Sequence, residues 1–225
     1  MPTRSPASTP GSTARSRRRY PWGVNIAAPQ QKYQVRFDVG LAGFQALAAA
    51  ADVVILADAL PSPGSEPVLP TALQGHQVIA ANLGNSEGVA EWVLARQTEK
   101  GDRFSVAVIA VGERRPDGAA RFAVEDYLAA GAVIDALAAR GIDHCSPEAA
   151  AAAAAFAGLK RAVRHLVTAS ETAQALVAAG RGAEVQAAVR HDSPATQTAV
   201  QQTPATDVPA PSPGISRLRE FAFPA

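Results

Sequence analysis

The run Val53-Val-Ile-Leu-Ala57 constrains this chain more than any other feature. It is apolar at every position, whereas a strand with one wet face alternates, so it predicts a strand covered on both faces. Phe104 to Val111 is the clearest further strand. Around these two, strand and helix patterns take turns. Tyr33 to Phe37 alternates polar and apolar side chains, Gly40 to Ala50 is an Ala- and Leu-rich helix, and His76 to Ala81 is a weaker strand. Asn85 or Ser86 then caps a helix with Val89, Trp92, Val93 and Leu94 at helical spacing. From Val124 to Ala139, Val124, Leu128, Val133, Ile134 and Leu137 share one broad helical face. Ser146-Pro147-Glu148 supplies the cap, first-turn proline and early acid of another helix. A last helix runs from about Glu171 to Ala179 and stops at Gly180. Such alternation predicts an α/β fold, three layers in the order α/β/α, around a mainly parallel or mixed sheet.

The chain's 225 residues, 48% of them hydrophobic, suit one domain with a sizeable core. Residues 22–192 are the expected domain. Residues 1–21 hold Ser, Thr, Pro and Arg without an acid, and 193–225 are rich in Pro, Thr, Gln and Ala. Both are expected to be tails, because they offer too little apolar area to offset the entropy of ordering. A Phe221–Phe223 pair near the end would be able to dock on the body. The arginines at 15, 17, 18 and 19 read as a solvated basic segment, and a net charge of +1 gives no global field for nucleic acid or a membrane surface. No apolar run reaches the roughly 18 residues of a membrane helix, and no signal-peptide stretch follows the arginines. With Cys145 as the sole cysteine, an internal disulfide is excluded and a cytoplasmic setting is expected. Self-association into a homo-oligomer stays open.

In open α/β sheets, ligands bind beyond the carboxyl ends of the strands. Asp58 directly follows the Val53–Ala57 strand, and Glu113 follows the Phe104–Val111 strand by way of Gly112. Glu125 and Asp126 open the next helix. Gathered at one edge, these carboxylates would make a hard-oxygen site suited to Mg²⁺ and a substrate phosphate. The competing readings are ordinary ones, a loop solvator for Asp58 and a helix-dipole partner for Glu125 and Asp126. Arg114, Arg115 and Arg121 bracket the turn Pro116-Asp117-Gly118. An arginine there would either clamp an anion bidentately or lie on the surface of a hairpin-like loop. His76, His144, His165 and His191 have no metal-ligand spacing, Cys145 beside His144 is no nucleophile pair, and no glycine-rich phosphate loop is present.

Several of these segments together resemble a known family. Val106-Ala-Val-Ile-Ala-Val-Gly-Glu-Arg-Arg-Pro-Asp-Gly118, followed by Arg121-Phe-Ala-Val-Glu-Asp-Tyr-Leu-Ala-Ala-Gly-Ala-Val133, is similar to the core motif of the ComB-like 2-phosphosulfolactate phosphatases of coenzyme M biosynthesis. The likeness continues in Cys145-Ser-Pro-Glu-Ala149, in Ala169-Ser-Glu-Thr172 and in Val185 to Asp192. Upstream it takes in Val35-Arg-Phe-Asp-Val-Gly-Leu-Ala-Gly43, the strand ending at Asp58, and Asn82-Leu-Gly-Asn-Ser86.

The resemblance implies Mg²⁺-dependent hydrolysis of 2-phosphosulfolactate to sulfolactate and phosphate, with a small phosphorylated sulfonate or carboxylate as substrate. Position along the chain puts Asp58, Glu113 and Asp126 near the metal, Glu125 as base or outer partner, and Arg114 on an anionic group of the substrate. Asn85, Ser62 and Arg121 are lesser substrate-binding candidates. The chain also departs from the family pattern. After Asp58 it reads Ala59-Leu-Pro-Ser-Pro-Gly64 and soon reaches His76, where the family carries a longer segment with an Asn-Gly-Thr/Ser loop. Gly84 stands where the family has an arginine, and a Thr/Pro/Gln tail replaces its closing Asp-Val-Pro stretch. A shortened member of this kind is expected to turn over weakly. The alternative is a non-catalytic member that binds a small anion or a protein partner.

Overall fold

The structure, a computed structural model, describes residues 29–60, 77–114 and 120–189, with only the backbone given at 77, 114 and 120. Both tails, Ser62, Arg115, the Pro116–Gly118 turn, His76, His191, the Phe221–Phe223 pair and the Arg114 side chain lie outside the described residues.

Four strands, β1 (Val35–Val39), β2 (Val53–Ala57), β3 (Gln77–Ala81) and β4 (Val106–Ala110), form a sheet in the order β1-β4-β2-β3. Every pairing is parallel. The two strands read as the most apolar, β2 and β4, are the central ones, and all their residues are buried. Their pleat divides the core in two. Val53, Ile55, Ala57, Val106, Val108 and Ala110 face one layer, while Val54, Leu56, Ala107 and Ile109 face the other.

Helix α1 (Gly40–Leu47) covers the second face with Phe44 and Leu47. The first face carries α2 (Ser86–Lys100), α3 (Val124–Ala139) and α4 (Pro147–Leu159). The chain's path accounts for the split. From β1 it passes beyond β4 to β2, and from β3 it returns beyond β2 to β4. Right-handed crossovers taken in opposite directions place their helices on opposite faces. The fold is therefore the three-layer α/β/α arrangement.

Boundaries moved where side chains compete for the backbone. The fourth strand begins at Val106 rather than Phe104, because the Phe104 carbonyl accepts from Gln34 Nε2 (3.1 Å) and its N–H donates to Gln97 Oε1 (3.4 Å). The helix expected over Gly40–Ala50 ends at Leu47 and tightens into a 3-10 turn, Ala48–Ala50, whose last carbonyl accepts from buried Arg36 Nη1 (2.8 Å). Leu94 faces outward. Ser146 caps α4 through Ala149 N–H as expected (3.1 Å). Beyond it the chain folds into α5 (Val163–Thr168), α6 (Glu171–Ala178) and α7 (Gly182–Ala188). Their buried residues Val167, Leu176 and Val185 join the α3 side of the core. No helix among the described residues is long and apolar enough to cross a membrane.

Helices α3 and α4 approach closely at Gly131, where an added Cβ would lie 2.4 Å from the Ala152 carbonyl oxygen and 2.8 Å from Phe156 Cβ. Gly131→Ala is expected to lower stability by about 1–3 kcal/mol, since backbone cannot yield as a side chain does. Gly158→Ala on α4, where an added Cβ meets nothing within 4 Å, should instead gain up to about 1 kcal/mol from helix propensity. Urea denaturation of both variants measures the contrast, and equal effects would contradict this packing.

Candidate active site

The in-register pairing of Ala57 with both Ala110 and Ala81 brings the carboxyl ends of β2, β4 and β3 abreast. The residues that follow therefore emerge along one edge. Asp58 leaves β2 with its N–H donating to the Ala81 carbonyl (2.9 Å), and Val111 leaves β4 donating to the Ala57 carbonyl (3.0 Å). Helix α3 starts above this edge and brings Glu125 and Asp126 in its first turn.

Asp126 clamps the two loops. Its Oδ1 accepts from Ala59 N–H and its Oδ2 from Gly112 N–H, both at 2.9 Å. Gly112 sits at φ 72°, where a side chain would be strained, and an added Cβ would press on the Arg121 carbonyl at 3.2 Å. That turn leads into a hairpin of β5 (Glu113–Arg114) and β6 (Ala120–Arg121), whose register sets Glu113 opposite Arg121. Cross-strand partners of opposite charge attract. Arg121 accordingly bonds Glu113 Oε2 through Nε (3.2 Å) and through Nη2, which also lies 3.4 Å from Glu125 Oε1. Its Nε is 3.4 Å from Glu171 Oε2 as well.

Thr172, to which the sequence reading gave no role, completes the group. It is 3% exposed, in the first turn of α6, which Ser170 caps through Ala173 N–H. Its hydroxyl accepts from Arg121 Nη2 at 2.6 Å and lies 2.5 Å from Glu125 Oε1 and 3.0 Å from Glu113 Oε2. Only the Ala169-Ser-Glu-Thr172 stretch signalled it beforehand, because its partners are far away in sequence.

Four carboxylates thus share the edge, and burial strains Asp58 and Asp126. Burial pushes Asp58 up to about 6, with the charges of Glu125 and Glu113 adding to the rise. Burial also holds Asp126 well above the ordinary carboxylate range, helped by Asp58 and Glu125. Burial disfavours the charge on Arg121, but the bond to Glu113 and the charges of Glu113, Glu125 and Glu171 outweigh it and raise its pKa. Among the described residues no cation pairs with Asp58 or Asp126. Glu125 has a side chain 1% exposed, and its buried Oε2 has no hydrogen-bond partner among the described residues. A buried, unpartnered carboxylate oxygen is costly until a proton or cation reaches it.

The edge fits Mg²⁺ in donor chemistry, being oxygen throughout. It is not the three-carboxylate cage that the candidates Asp58, Glu113 and Asp126 would make. Among the described residues no three His, Cys, Asp or Glu are placed to hold a metal ion. Asp126 is committed to two backbone amides, and Glu113 to Arg121. The fit is to a cation held by one or two carboxylates, with water and substrate phosphate filling the rest of its shell.

The remaining candidates stand as follows. Asn85 occupies the N-cap position of α2 without capping it. Its Oδ1 accepts from Asn82 N–H (2.8 Å) and its Nδ2 donates to the Ala80 carbonyl (3.3 Å), so its amide closes the loop after β3. Arg114 ends β5 next to Glu113, its backbone paired with Ala120.

Open parallel α/β/α sheets form a class whose ligands bind beyond the carboxyl ends of the strands, the edge these acids occupy. Within it, the family model described as 2-phosphosulpholactate phosphatase matches residues 67–202, well over half of the chain, and the chain belongs to that family. No curated protein matches it. The matched stretch holds Glu113, Arg121, Glu125, Asp126 and Thr172, while Asp58 precedes it.

Proposed function

We propose that this protein is a Mg²⁺-dependent phosphatase that hydrolyses 2-phosphosulfolactate to sulfolactate and phosphate. The observation that carries the reading is the convergence of Asp58, Glu113, Glu125 and Asp126 at one carboxyl edge of a parallel sheet, in a chain of this family. A substrate that bears a carboxylate, a sulfonate and a phosphate is repelled by a carboxylate without a cation, as Asp58 is among the described residues, and a bound cation would offset that repulsion.

Asp58, which pairs with no cation among the described residues, would hold Mg²⁺, with water and substrate phosphate completing its shell. Bound there, the ion would polarise the phosphoryl oxygens and offset their charge. Asp126 positions both loops through Ala59 and Gly112. Glu125, whose Oε1 is held by Thr172, has its buried Oε2 left to accept a proton of the attacking water. Arg114 would meet the sulfonate or carboxylate, where a planar guanidinium bonds two oxygens at once. Ser62 and Asn85 are lesser substrate contacts. The test is phosphate release from 2-phosphosulfolactate with Mg²⁺ and with EDTA. Mg²⁺-dependent release is expected, and none under either condition would contradict the reading.

A further inference from the structure

Thr172 differs from the other helical threonines whose bonds are known. Thr98 and Thr168 return their hydroxyl protons to carbonyls of their own helices, at Leu94 (2.9 Å) and Arg164 (3.0 Å). Thr172 instead reaches carboxylates 47 and 59 residues away in sequence. A hydroxyl has one proton to give. It receives one hydrogen bond from Arg121 Nη2, which orients its own donation toward the carboxylates. The 2.5 Å separation to Glu125 Oε1, against 3.0 Å to Glu113 Oε2, assigns the donation to Glu125 and has the length of a charge-assisted O–H···O⁻ bond.

We infer that Thr172 is a positioning residue for Glu125. By holding Oε1 it leaves Oε2, buried and without a hydrogen-bond partner among the described residues, as the oxygen open to a proton or cation, and so couples the α5–α7 segment to the active site. This rests on the proposed hydrolase reading for its kinetic consequence, but its geometric consequence stands independently of that reading. Its hydroxyl acts on Glu125 and not on substrate. It acts by removing a rotational choice: a carboxylate held at one oxygen presents the other in a fixed direction, whereas a free one turns about its terminal torsion. Partners of this kind typically change activity by about 10–100-fold when removed.

Thr172→Val keeps the shape and deletes the hydroxyl, and Thr172→Ser keeps the hydroxyl and deletes a methyl. In Thr172→Val, kcat is expected to fall about 10–100-fold with KM nearly unchanged. In Thr172→Ser it should stay within about threefold of wild type, although both variants lose some melting temperature. Equal kcat losses in the two variants, or a loss in KM alone, would overturn the inference. A crystal structure of Thr172→Val decides it separately. The Glu125 carboxylate should there be turned or split between two orientations, and an unmoved Glu125 would overturn the assignment. Should the wild type release no phosphate from 2-phosphosulfolactate, the hydrolase reading fails, and that crystal structure alone decides the role of Thr172.

Discussion

Asp58→Asn is expected to make the protein more stable at pH 8 and nearly inactive. Burial and the charges of Glu125 and Glu113 raise Asp58 from 3.8 to about 6 in the folded state. The folded chain therefore holds that proton more tightly than the unfolded chain. Stability from this group is fully present below about pH 4, declines as pH rises toward 6, and stays lost above it. Two pKa units correspond to roughly 3 kcal/mol, an upper figure because Asp58 shares its strain with neighbouring carboxylates. Asparagine carries no charge, so the variant should gain up to that amount at pH 8 and almost nothing at pH 4. For a domain of this size that is a rise of roughly 5–10 °C in melting temperature. Mg²⁺ should stabilise the wild type by mass action and leave Asp58→Asn unmoved. Turnover should drop at least roughly a hundredfold, as when one electrostatic partner of a transition state is removed. Thermal melts across pH, with and without Mg²⁺, check this. A variant less stable than wild type at pH 8 would show that the carboxylate is not strained as described.

Removing Arg121 should act in the opposite direction. Its guanidinium, 9% exposed, bonds Glu113, Glu125 and Thr172 together. Arg121→Met preserves much of the volume but leaves the 1%-exposed Glu125 beside Glu113 without its cation. Breaking such a buried pair from one side costs about 3–5 kcal/mol, far more than the pair contributes over an apolar replacement. Adding Glu125→Gln removes the stranded charge, so the double variant should recover part of the loss. A coupling of about 1–3 kcal/mol is expected between the two sites. Urea denaturation of the single and double variants measures it, and additive losses would mean that Arg121 and Glu125 do not interact.

The sheet was legible because burial on both faces leaves a direct signature: β2 and β4 are apolar at every position and lie in the centre. Knowing where those strands end was enough to find Asp58 and Glu113, since position at a strand's carboxyl end follows from local sequence alone. The Pro116–Gly118 turn signal likewise anticipated a hairpin, and the hairpin's register is what opposes Glu113 and Arg121. Tertiary partners were not legible. Asp126 looked like a metal ligand by residue type, but its partners are the backbone amides of Ala59 and Gly112, which have no side-chain signature. Asn85 looked like a cap, but the nearby Asn82 N–H takes its oxygen. Thr172 carries no local signal of its role, because its partners lie on α3 and the hairpin. Helices α5 and α7 are too short for a periodic pattern to show them.

Phosphatase chemistry at the carboxylate edge is the central claim. Its most direct test is the initial rate of phosphate release from 2-phosphosulfolactate, beside a panel of other phosphorylated three-carbon acids, for wild type and Asp58→Asn. The predicted result is a slow, Mg²⁺-dependent release that favours 2-phosphosulfolactate, is abolished by EDTA and is absent from the variant. The contradicting result is no release from any of these acids at high enzyme and Mg²⁺ concentrations, which would leave a scaffold that binds an anion or a protein without catalysis.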